Sequence, residues 1–167
     1  ASAEHGDHPF TLRQQVTNDL DAVQANLSAT PDDHYGADLP ESTMEAPFQA
    51  ASGTGFDQNC DGEYDATTDI LPFLSSEADL LGGDGGEAGD DATTGGGSTG
   101  GLGFRDEILP VLIYATDAYM RDPEGGYGTP AACSNPAGFS DVVAATADIG
   151  ARLIGVASED TDPIGQM

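Results

Sequence analysis

From Pro9 to Ala29, the apolar residues Leu12, Val16, Leu20, Val23 and Leu27 recur at helical spacings. That period lays one apolar stripe along a helix, with Pro9 suited to its first turn, and Thr30-Pro31-Asp32-Asp33 ends it. A second helix is expected from about Pro40 to Ser52, with Asp38 as N-cap, Glu41 at capping-box spacing, and Met44 and Phe48 towards the core. Pro47 removes one hydrogen bond there and should kink or shorten it. Ile70-Leu71-Pro72-Phe73-Leu74 is a short apolar piece that suits a lid or a turn. The run Leu109 to Ala115 leads into Thr116-Asp117 and reads as a buried parallel strand that brings a carboxylate to the sheet's C-terminal edge, where open α/β folds bind ligands. Ser140 or Asp141 can cap a helix through Val142, Val143, Ala147 and Ile149, closed by Gly150, and 152–157 forms another strand. Strand, helix, strand is a βαβ unit, right-handed by default.

About half of Gly82 to Gly103 is glycine, and hydrophobic pattern resumes on both sides. This segment is expected to be a flexible excursion within a single domain spanning 1–167, so the packed portion is smaller than the length suggests. Thirty acids against four Arg and no Lys give a net charge of −26, which repels nucleic acid and anionic lipid surfaces. No apolar stretch approaches the roughly 20 residues of a membrane span, and Ala1 to His8 carries no export pattern, so any export signal lies outside these residues or has been removed. Such acidity suits either divalent cations or a salty environment, and most single acids simply face solvent. Only acids at ligand spacing therefore point to chemistry.

Asp57, Asn59, Asp61, Glu63 and Asp65 alternate around Gly62, with Asp69 beyond them. Ca2+ needs six to eight oxygen ligands, and acids alternating around a glycine turn wrap one loop about the ion. Thr68 stands where an EF-hand has its Glu, so the loop is not a complete EF-hand; its bland alternative is an acidic solvent loop. Cys60 and Cys133 are the only cysteines, with no CxxC pattern, and a single disulfide suits them better than zinc or a catalytic thiol. His5, His8 and His34 are scattered. No Gly-x-Ser-x-Gly elbow occurs, and the absence of Lys excludes a phosphate loop with its lysine.

The order helix, Gly36-Ala37-Asp38-Leu39-Pro40-Glu41, helix with Ala50-Ala51, long insertion, then Leu109-Pro110-Val111-Leu112-Ile113-Tyr114-Ala115-Thr116-Asp117 resembles the C-terminal two-thirds of a von Willebrand factor A domain, most closely the bacterial secreted and integrin β-like members. The resemblance covers about Pro9 to Val156. It implies an α/β fold: a Rossmann-like, doubly wound, mostly parallel sheet, incomplete here and carrying acidic and Gly-rich loop insertions. It also implies an adhesion-type site for Mg2+ or Mn2+ at the sheet's C-terminal edge, with Asp38 and Glu41 from one loop and Thr116 and Asp117 from another. The family's Asp-x-Ser-x-Ser loop is absent from this sequence, and no strand precedes Pro9 to carry it. Without metal, Asp38 is a helix cap and Asp117 a turn residue.

The expected function is an extracellular or cell-surface, divalent-cation-binding adhesion or assembly module, not an enzyme. Its partner would be a protein ligand or another copy of itself, with no nucleic acid and no direct membrane insertion. The alternative is a structural surface or filament subunit in which calcium only rigidifies the acidic loop. A metal-dependent hydrolase is the weaker third reading, because no His, Lys or Cys lies in a motif that supplies a general base.

Overall fold

The computed structural model describes residues 10, 12–30, 44–57, 61–65, 69–72, 97–116, 120, 122 and 136–157. They form α1 (Leu20–Ser28), α2 (Glu45–Ser52), β1 (Val111–Thr116), α3 (Phe139–Asp148) and β2 (Arg152–Ala157). β1 and β2 pair in parallel from Val111 opposite Arg152 to Thr116 opposite Ala157. The expected βαβ unit is therefore present, and the fold is mixed α/β with a small two-stranded parallel sheet among the described residues.

The βαβ unit forms where its local signals agree. Gly138 caps α3, and Asp141, three residues on, reaches back to accept its backbone N–H at 2.9 Å. The cap is thus Gly138, not Ser140 or Asp141, because Asp141 serves better as the returning carboxylate of the first turn. Val142 and Thr146 are the buried positions of α3, and the Thr146 hydroxyl donates to the Val142 carbonyl at 2.7 Å, which removes the cost of burying it. Gly150, at φ 66, ends the helix, and Ala151 N–H then bonds the Thr146 carbonyl.

α2 packs on α3 and β1, and its start explains how Pro47 is tolerated. The helix begins at Glu45, so Pro47 falls in the first turn, where backbone N–H groups have no intrahelical partner to lose. No kink is needed. Ala50, Ala51, Phe104 and Leu112 form one buried cluster and Met44, Met120 and Val142 a second, with Leu153 packed against both. Met44 is buried as expected, whereas Phe48 is half-buried at the second cluster's margin.

Two further expectations are corrected. The long helix over 9–29 is confined to Leu20–Ser28, because Asp19 caps it, accepting from Asp21 and Ala22 N–H at 3.0 Å, and because Val16 N–H bonds the Leu102 carbonyl at 2.9 Å instead of a helical neighbour. Its apolar stripe is correspondingly uncovered: Leu20 is 77% exposed and Leu27 67%. β1 is not buried on both faces; Leu112 is buried, Tyr114 half-buried, and Ile113 between them is 69% exposed. Among the described residues helices cover one sheet face only, so the doubly wound arrangement is not seen there. Of the Gly-rich segment only 97–103 are described, and this end is packed: Gly101 and Leu102 N–H bond the Ala51 and Ala50 carbonyls, and Thr99 bridges to Phe104. A Cβ on Gly101 would run into the Gln49 carbonyl and the Gly53 backbone, so glycine is what lets this strap seat on the end of α2.

Candidate functional site

The acidic loop is closed at its base. Phe56 and Ile70 exchange backbone hydrogen bonds of 2.8 and 3.0 Å, which sets Asp57 beside Asp69 at the loop's two ends. Ile70 is buried, so this expected lid or turn residue acts as the loop's anchor. Asp57 Oδ2 accepts the Gly62 N–H at 3.0 Å, and Gly62 sits at φ 83 with open space around it, so its backbone conformation is what requires glycine. Asp61 Oδ1 accepts the Glu63 N–H at 2.9 Å. Asp69, 6% exposed, accepts the Asp65 N–H at 2.9 Å and donates its own N–H to the Asp65 carbonyl at 2.7 Å. These bonds fold the chain back on itself twice.

Asp57, Asp61, Glu63, Asp65 and Asp69 therefore share one loop, with Asp57 half-buried and Asp61, Glu63 and Asp65 exposed. Asn59 lies outside the described residues. Among the described residues, no three His, Cys, Asp or Glu side chains converge closely enough to hold a metal ion. The Asp57, Asp61 and Asp69 carboxylates each accept a backbone N–H, charge-assisted bonds that help fix the loop. Of the adhesion-type residues, Thr116 is the last residue of β1, at the sheet's C-terminal edge; Asp38, Glu41 and Asp117 lie outside the described residues, as do Cys60 and Cys133.

Beneath the loop lies a feature the apolar pattern does not reveal. Gln49 and Glu45, 0% and 1% exposed, are the largest fully buried side chains among the described residues. The Gln49 amide takes Gly55 as a strand would, donating to its carbonyl at 2.8 Å and accepting its N–H at 2.9 Å. The same Nε2 donates to Glu45 Oε1 at 2.7 Å, and Glu45 Oε2 accepts the Ala137 N–H at 2.6 Å. One buried chain of hydrogen bonds thus links the foot of the acidic loop, α2 and the segment that leads into α3. Burial pushes the Glu45 carboxyl above its ordinary range; the bonds from Ala137 and Gln49 pull it back, and Asp141 adds a smaller upward push. The i, i+4 spacing of Glu45 and Gln49 was available in the sequence, but two polar residues at that spacing ordinarily mark a solvated helix face.

No protein family, curated protein or solved structure matches the chain.

Proposed function

We propose that the chain is an extracellular calcium-binding module that serves adhesion or assembly. The observation that carries this reading is the closed loop at 57–69, where the Phe56–Ile70 pair holds the ends together and Asp57 accepts the N–H of a left-handed Gly62. In calcium loops of the EF-hand type the first acid and the glycine five residues on make the same sharp turn, which aims alternate oxygens inward. Asp57, Asn59, Asp61, Glu63, Asp65 and Asp69 are the ligands on this reading. Clustered carboxylates repel one another until a cation neutralises them, so the ion also stiffens the loop.

Titration calorimetry of the full chain after chelation, beside the Asp57→Ala/Asp61→Ala variant, tests the reading. Calcium uptake is expected in the parent and loss of it in the variant; equal uptake by both ends the idea. The wider role, a von Willebrand factor A-like edge that holds Mg2+ or Mn2+ and completes its coordination with a partner's carboxylate, draws support from Thr116 closing a parallel strand beside β2. Metal-dependent partner binding supports that edge, whereas metal dependence of stability alone favours the purely structural role.

A further inference from the structure

Val23 and Leu27, four residues apart on α1, line a cavity of about 360 Å3, and no helix or strand packs closely on α1 among the described residues. An amphipathic helix ordinarily presses such a pair against the core. Here a space separates them: Leu112 and Leu153 of the sheet, Ala50 of α2 and Leu102 form the opposite wall. Its volume lies at the lower end of the range for small-molecule sites. Protein interiors leave few voids wider than a water molecule, so an apolar space of this size forfeits contacts that an apolar ligand would restore.

The polar residues around the cavity are unequally committed. The Gln14 side-chain oxygen accepts from Asn26 Nδ2 at 2.7 Å, which leaves the Gln14 amide N–H groups as donors. Beside it in the chain, Arg13 is exposed and is the one charged residue among the described lining residues. Arg13 makes no ion pair or hydrogen bond among the described residues, in a chain of thirty acids and four Arg. A cation and an amide donor beside an apolar space suit a carboxylate on a hydrocarbon body, because the guanidinium fork matches the two carboxylate oxygens. Charges farther off than about 8 Å are screened at physiological salt, so the net charge of −26 does not exclude a single anion here.

We propose that this cavity binds a small apolar monocarboxylate, its hydrocarbon part between α1 and the sheet and its carboxylate on Arg13 and Gln14. A methylene and a water molecule each take roughly 30 Å3, so the space holds about a dozen heavy atoms, the size of a saturated acid of about ten carbons.

The test titrates the full chain with decanoate below its micellar concentration, read by two-dimensional NMR and by the melting temperature. Binding is expected to shift the amide resonances of Val23, Leu27 and Leu112 and to raise the melting temperature. Each methylene added from hexanoate to decanoate should tighten binding about fourfold. Decanol, with the same tail and no charge, should bind about tenfold more weakly than decanoate, and Arg13→Gln should abolish that difference. Leu27→Glu, at a position 67% exposed and so outside the packed core, should remove decanoate binding. The proposal is overturned by the absence of saturable shifts, by shifts confined to other residues, by equal affinity for decanol and decanoate in the parent, or by a preference that survives Arg13→Gln. A chain dimeric by light scattering that Leu27→Glu makes monomeric would show a second copy over the cavity, and overturns it equally.

Discussion

Replacing Gln49 by Leu keeps nearly the same volume in the core while deleting every hydrogen bond the amide makes. Three bonds disappear: Nε2 to Glu45 Oε1, Nε2 to the Gly55 carbonyl, and Gly55 N–H to Oε1. The heaviest loss falls on Glu45, which is 1% exposed and retains only the Ala137 N–H of its two described donors. A buried group deprived of its partner costs roughly 1–3 kcal/mol, more when charged, whereas Gly55 is only half-buried and can recover part of its bonding from water. The expected loss is about 3 kcal/mol, a large share of the roughly 5–15 kcal/mol that holds a domain folded. Urea unfolding followed by circular dichroism measures it, as a lower midpoint at unchanged slope. The double variant Glu45→Leu/Gln49→Leu removes the buried carboxyl and leaves the neutral Ala137 N–H unsatisfied in its place, so it should recover part of the loss. A Gln49→Leu variant destabilised by less than about 1 kcal/mol, or a double variant worse than the sum of the two singles, would refute the claim that these residues act as one buried unit.

The Glu45 carboxyl has a folded-state pKa above its unfolded value, so its contribution to stability is full below the ordinary carboxylate range and is lost as pH rises through the raised value. The stability difference between the parent and Glu45→Gln should therefore shrink in the parent's disfavour with rising pH across that window; a pH-independent difference would contradict it. Gly101→Ala places a methyl group against the backbone at the end of α2, and should cost about 1–3 kcal/mol in chemical denaturation, with faster amide exchange at Leu102. Gly155→Ala meets the Tyr114 ring, which must swing away, so the Tyr114 ring resonances should shift while β2 stays paired.

What could be read in advance follows the range of the forces involved. α3 and β2 were legible because period, first-turn acid and terminal glycine are all local and agree. The boundary of α1 was not, because the bond that ends it runs from Val16 to Leu102, and a distant partner leaves no mark on the period of Leu12, Val16 and Leu20. The same holds for the strap at 97–103: glycine permits a loose chain and a close approach alike, and only the neighbouring carbonyls of Ala50 and Ala51 decide which. The turn at Gly62 was legible, since alternating acids around a glycine specify a local fold; Asp38, Glu41, Asn59 and Asp117 lie outside the described residues. Glu45 and Gln49 were misleading in the opposite sense, because burial reverses the ordinary meaning of a polar pair.

These features meet at Gly55. Its φ of 76 and the close approach of the Ile70 carbonyl and the Pro72 nitrogen leave no room for a side chain, while the Gln49 amide holds both of its backbone groups. Asp57 follows two residues on, and Phe56 between them makes the pair that closes the acidic loop. The foot of the loop is thus held from the core side by groups that do not themselves bind the proposed ion. Entropy that would otherwise be lost when a cation orders the loop has in that part already been lost on folding, so the foot is preorganised. The physical consequence is an asymmetry: disturbing Gln49 should weaken both the fold and calcium binding, whereas removing Asp61 should weaken binding and leave the fold nearly untouched.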